Sequence, residues 1–70
     1  MLIKLLAVDL KAPYNVVINV NHIMYFYKSD IKRYNGKDCT FLRLDDNRSF
    51  YVRETIDEIY TMIRKGKKNG

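Results

Sequence analysis

Seventy residues bound a single domain with a modest core. One cysteine excludes an internal disulfide, and with one histidine it leaves no Cys/His ligand set for a structural metal. The net charge of +5 is local: residues 28–37 carry four bases against Asp30, residues 64–70 carry four against none, and the remainder is slightly acidic.

The first predicted element is "LIKLLAVDL", a strand apolar on both faces. It is too short for a signal h-region and Asp9 interrupts it; no run reaches membrane-spanning length, so the expected location is cytoplasmic with no membrane contact. "KAPYN" is a turn set by Pro13, and "VVINV" (Val16 to Val20) is a second strand of β-branched residues. "NVNH" is a bend, and "IMYFYK" opens the third strand.

Asn35-Gly36 is the strongest hairpin signal in the chain, because a type I′ turn needs positive φ at both central positions. Centred there, the register pairs Tyr34 with Lys37, Arg33 with Asp38, Ile31 with Thr40, Ser29 with Leu42 and Tyr27 with Leu44. One face then collects Tyr25, Tyr27, Ile31, Leu42 and Leu44; the other collects Lys28, Asp30, Lys32, Cys39, Phe41 and Arg43. The expectation is a long hairpin arm whose tip projects beyond the sheet. The next turn needs an odd loop, read as Asp46-Asn47-Arg48, with Leu44 opposite Phe50 and Leu42 opposite Val52.

"TIDE" (Thr55 to Glu58) is a capping box, and Ile56, Ile59, Tyr60 and Ile63 mark an apolar helix face. Gly66 is read as the helix stop. Residues 1–66 are therefore one α+β domain, and residues 67–70 a basic flexible tail. The expected architecture is β-β-β-β-β-α: a five-stranded antiparallel, strongly curved sheet with a hairpin arm and one C-terminal helix. One helix covers one sheet face. The apolar second face of the first two strands therefore predicts a homo-oligomer, with Leu6, Val8 and Val17 at its interface.

"N-V-N-H-I" (Asn19 to Ile23), "L-D-D-N" (Leu44 to Asn47) and "V-R-E-T-I-D-E-I" (Val52 to Ile59) together resemble the short FlbD-type proteins. That pattern runs N-x3-I, an L-x-x-G turn, then V-x-E-[ST]-x2-E-[VI] into a terminal helix. The chain departs from it in the longer arm at 28–38, in Asn47 where Gly is usual, and in "KAPYN" where a tight N-G turn is usual. The resemblance implies a small β-rich domain associated with flagellar operons and carries over no catalytic residue. A weaker likeness to LytTR-type domains rests on the "I-x-Y-x" strand, acidic turn and terminal helix, and implies DNA contact through loops.

Little in the chain suggests catalysis. His22 has no Ser, Cys or Asp at a recognisable spacing and reads as a turn residue. Cys39 has Lys37 and Lys32 nearby, yet reads as a surface thiol; Asp45-Asp46 reads as turn chemistry and not as a cation site. The expectation is a non-enzymatic binding module with no cofactor and no metal. Lys28, Lys32, Arg33, Lys37 and Arg43, with Tyr34 at the tip, are the candidate contacts for nucleic acid or another polyanion. The alternatives are a protein-interaction or adaptor module of flagellar or phage accessory type, or an oligomer that captures a small anionic nucleotide.

Overall fold

The computed structural model describes residues 1–68. In chain order the elements are β1 (Leu2–Ala7), β2 (Tyr14–Asn19), a 3-10 turn (Val20–His22), β3 (Ile23–Lys28), β4 (Thr40–Leu44), β5 (Ser49–Val52) and α1 (Ile56–Lys68). The five strands form one antiparallel sheet in the order β2-β1-β5-β4-β3. The sheet is open: its outermost strands, β2 and β3, do not pair with each other. No helix among the described residues is long and apolar enough to cross a membrane.

Alternation sets the two faces. Ile3, Leu5 and Ala7 of β1 point inward, opposite Ile18, Val16 and Tyr14 of β2. Leu42 and Leu44 of β4 and Val52 after Phe50 of β5 continue that inner face. The helix closes it: Ile59 is fully buried in one cluster with Leu5, Ile18, Leu42 and Val52, and Met62 and Ile63 pack against this cluster. Each such aliphatic side chain contributes about 1.5–3 kcal/mol on burial.

The helix begins as the capping box requires. Thr55 Oγ1 accepts from the Glu58 N–H at 3.1 Å, and Glu58 Oε1 accepts from the Thr55 N–H at 2.9 Å. The buried face differs from the expected one. Ile56 and Tyr60 are exposed, and the core stripe is Ile59, Met62 and Ile63. Gly66 does not stop the helix, which runs on to Lys68. It continues the core stripe by one more turn and lies so close to the Met1 side chain that any Cβ there would displace it. Of the expected basic tail at 67–70, Lys67 and Lys68 thus belong to the helix, and 69–70 lie outside the described residues.

The β4–β5 turn holds the expected parity at a shifted register. Leu42 faces Phe50 and Thr40 faces Val52. The Leu44 N–H donates to the Arg48 carbonyl at 2.9 Å, so the three-residue loop is Asp45-Asp46-Asn47. Asn47 takes the left-handed conformation, φ 72°, that closes such loops. A shift of two leaves inward residues inward.

The β3–β4 connection differs more. Asn35 (φ 52°) and Gly36 (φ 70°) form the expected turn, and Tyr34 pairs with Lys37. Below the tip the ladder breaks. Residues 29–33 bulge against Asp38 and Cys39: the Ser29 N–H donates to the Cys39 carbonyl at 2.8 Å and the Cys39 N–H to the Ile31 carbonyl at 3.2 Å. Regular pairing resumes only at Lys28–Thr40, Tyr27–Phe41 and Phe26–Leu42. Three residues absorbed on one side invert the parity, because side chains alternate with a period of two. Phe26, not Tyr25 or Tyr27, therefore shares the inner face with Leu42. β4 keeps its expected faces, with Leu42 and Leu44 inward and Phe41 and Arg43 outward, but the expected placement of Tyr25 and Tyr27 beside the leucines is overturned.

A buried carboxylate locks β1 to β5. These strands share one Cα pair, Ala7 with Val52, flanked by the Val8 N–H to the Tyr51 carbonyl and the Arg53 N–H to the Leu6 carbonyl. Glu54, 6% exposed, extends the junction by accepting from the Leu6 N–H through both oxygens, at 3.0 and 3.2 Å. Its own carbonyl accepts from Thr40 Oγ1 at 2.6 Å. At the β1–β2 turn the Tyr14 hydroxyl donates to Asp9 at 3.1 Å. Burial, then the Asp9 bond, then the Asp9 charge raise that phenol above its usual value.

Candidate nucleic-acid interface

The parity inversion builds an aromatic surface on the side of the sheet away from the helix. Tyr27, Phe41 and Tyr51 are direct cross-strand partners on β3, β4 and β5, and Tyr25 lies two residues before Tyr27 on the same face. Ring centroids are 5.2 Å apart from Tyr27 to Phe41 and 5.2 Å from Phe41 to Tyr51, the latter edge-on. Tyr25 lies 6.2 Å from Tyr27, near parallel, and 6.4 Å from Phe41. These are the separations at which aromatic pairs attract. Tyr25 and Tyr27 keep 47% and 49% of their surface in solvent.

Arginines border the rings. Arg43 lies opposite Tyr25 and donates to Asn47 Oδ1 at 3.2 Å. Arg33 reaches back from the arm, its guanidinium carbon 5.2 Å from the Tyr51 ring centroid. Arg53 follows Tyr51 at the same parity, but its guanidinium donates to Glu54 at 3.4 Å and the residue lines the groove beside Tyr34, Thr55 and Glu58. Lys4 points outward from β1. Among the described residues, no Asp or Glu occupies an outward strand position. A surface of π faces ringed by cations can stack on flat ligands and attract anionic ones.

The six predicted contact residues separate into two groups. Arg33 and Arg43 join the aromatic face. Lys28 and Lys32 do not: Lys28 Nζ lies 3.6 Å from Asp38, and Lys32 pairs with the same carboxylate. The Lys32 hydrogen bond, followed by its charge and that of Lys28, holds Asp38 below the usual carboxylate range despite some opposing desolvation. The same bond raises Lys32. Lys28 and Asp38 line a groove with Cys39, Thr40, Thr55 and Ile56, on the helix side. Tyr34 is partly buried beside Arg53, Thr55 and Glu58 and is not a free tip. Lys37 is exposed at the turn.

The predicted oligomer contacts also divide. Val17 is 60% exposed, next to Leu2 at 66%; Leu6 is half-buried and Val8 is buried within the chain. Cys39 is buried, 2% exposed, rather than a surface thiol. His22 Nδ1 lies 3.1 Å from Asp45 Oδ2, and the His22 carbonyl accepts from the Asp45 N–H. That pair ties the 3-10 turn to the β4–β5 loop. Among the described residues no group of three His, Cys, Asp or Glu is placed to hold a metal.

Sequence reasoning missed Tyr51 and placed Tyr25 and Tyr27 on the wrong face, whereas Phe41 and Arg43 lie on the face away from Leu42 and Leu44 as expected. The available signal was "F-L-R" and "Y-V-R", each pairing an aromatic with an arginine at a spacing of two around an inward aliphatic. Glu54 was missed too, although it is the acid of the V-x-E pattern. No family model, curated protein or solved structure matches the chain.

Proposed function

We propose that this chain is a small non-enzymatic nucleic-acid-binding module, a cytoplasmic regulator whose contact surface is the outer face of β3, β4 and β5. The observation that carries the reading is the set Tyr25, Tyr27, Phe41 and Tyr51, bordered by Arg33 and Arg43, with no Asp or Glu at an outward strand position among the described residues. Stacking on the rings engages bases, and the arginines engage phosphates. The reading takes the sheet as strongly curved, supported by the three-residue link between its outermost strands.

The deciding measurement is an anisotropy titration with labelled single strands and duplexes at several salt concentrations. Binding should weaken as salt rises. Tyr27→Ala should weaken it roughly tenfold, at about 1–3 kcal/mol per stacked base. Absence of binding to every strand at low salt would sink the reading.

Exposed Leu2 and Val17 favour a second role for the β1–β2 end: contact with another copy of the chain. Val17→Lys should then reduce the mass measured by light scattering. A wild-type monomer at high concentration removes this part of the proposal.

A further inference from the structure

The geometry points to an unpaired nucleobase, held between the guanidinium of Arg33 and the ring of Tyr51, as the ligand element this surface is built to clamp. The inference rests on the nucleic-acid reading above and specifies its ligand. Arg33 comes from the one part of the β3–β4 connection that lacks a regular ladder, residues 29–33, yet its side chain lies over the outer face. A planar guanidinium over an aromatic ring is one half of a stacking site, with the ring as the other half.

Spacing decides what can enter. The Arg33 carbon lies 5.2 Å from the Tyr51 centroid. A flat base between two stacking partners needs about 7 Å, twice the roughly 3.4 Å separation of stacked bases. The arm must therefore lift by about 2 Å. The bulge can supply this, since five residues there face only Asp38 and Cys39. Tyr51 itself is fixed between β4 and the end of β1. The moving jaw is cationic and lies outside the regular ladder, and the fixed jaw is an anchored ring. A base inside a duplex is stacked and paired and cannot enter without being extruded, so the clamp selects single strands or flipped bases. Phe41 and Tyr27 continue the platform for the neighbouring bases, and Lys37, exposed at the arm's turn, is free to follow the backbone.

The test is a double-mutant cycle on the full chain, read by anisotropy with short labelled DNA and RNA single strands. Tyr51→Leu should weaken binding roughly tenfold. Arg33→Lys keeps the charge, loses the plane, and should weaken binding severalfold without altering the salt slope. The double variant should bind no worse than Tyr51→Leu alone, because either change opens the clamp. Penalties that multiply overturn the clamp. Should Tyr51→Leu fail to fold, Arg33→Lys still decides. Its penalty must vanish on a strand of abasic sites, which offers phosphates but no bases, and an equal penalty there overturns the inference. Loss of all binding by the wild type indicts the nucleic-acid reading, whereas intact binding with independent residues indicts only the clamp. Equal results with DNA and RNA identify the base as the recognised group, and a stronger cycle on one of them adds the sugar.

Discussion

Glu54 offers the sharpest test of how this fold is held. Its carboxylate is 6% exposed and takes the Leu6 N–H through both oxygens, where β1 and β5 share a single Cα pair. Glu54→Ala removes both acceptors and leaves that N–H without a partner. A hydrogen bond to a charged group contributes about 1.5–3 kcal/mol, and an orphaned buried donor costs about 1–3 kcal/mol. These describe one loss from two sides, so the expected destabilisation is about 2–3 kcal/mol. Glu54→Gln keeps one oxygen toward Leu6 and should cost about 1 kcal/mol. In a domain of this size each kcal/mol moves the thermal midpoint by roughly 4–8 °C. Glu54→Ala should therefore melt about 10–20 °C lower by circular dichroism, and Glu54→Gln should fall between it and wild type. An Ala variant within about 0.5 kcal/mol of wild type, the usual range for neutral surface changes, would refute the claim that this carboxylate locks β1 to β5.

Four further outcomes follow from other contacts. Ile59→Ala should lower unfolding free energy by about 2–5 kcal/mol in urea, whereas Tyr60→Ala, at an exposed position, should stay within about 0.5 kcal/mol; equal effects would mean the helix is rotated from the face described. Thr55→Ala should cost about 1 kcal/mol by removing the cap. The Thr55 N–H is the main cause holding the Glu58 carboxyl below its ordinary value near 4.5. Its contribution is therefore complete above that pH and is lost as pH falls through the lowered folded value, so Glu58→Gln should flatten the acid limb of the stability curve. Gly36→Val puts a β-branched residue at φ +70° and should collapse the Tyr34–Lys37 pairing, seen as faster amide exchange at Lys37, with little change in the core; unchanged exchange would show that the turn tolerates a side chain.

The order and type of the elements were legible because each had a local cause. Asn35-Gly36 and Asn47 specify positive-φ turns, Thr55-x-x-Glu58 specifies a helix start, and β-branched runs specify β1 and β2. Only local chemistry was needed for these. The helix face was harder: Ile56, Ile59, Tyr60 and Ile63 fit one stripe, as do Ile59, Met62, Ile63 and Gly66. Only the position of the sheet beneath decides between them. Gly66 carried a stop signal and a close-packing signal in one residue type, and packing against Met1 is what it serves. Glu54 gave no local cue, since its partner, Leu6, is forty-eight residues away.

The candidate site failed to emerge from the sequence for one reason, the unpaired residues at 29–33. A turn fixes register only as far as the ladder stays regular, and that segment consumes three extra positions before pairing resumes at Lys28. An odd offset turns the β3 side chains from Tyr25 to Lys28 to the opposite face relative to β4, until a second register shift before Tyr25 returns Ile23 to the inner face opposite Leu44. The tyrosines read as core become the solvent-facing platform, and Phe41 joins them from the face read as polar. The lysines read as a gripping arm fold onto Asp38. Charge alone pointed to the arm, but two of its four bases are paired with a carboxylate and one stands over a ring. The proposed contacts with a polyanion thus pass from the arm's lysines to arginines placed beside aromatic faces. Guanidinium and ring together can discriminate an exposed base from a paired one, which lysines on a solvated hairpin cannot do.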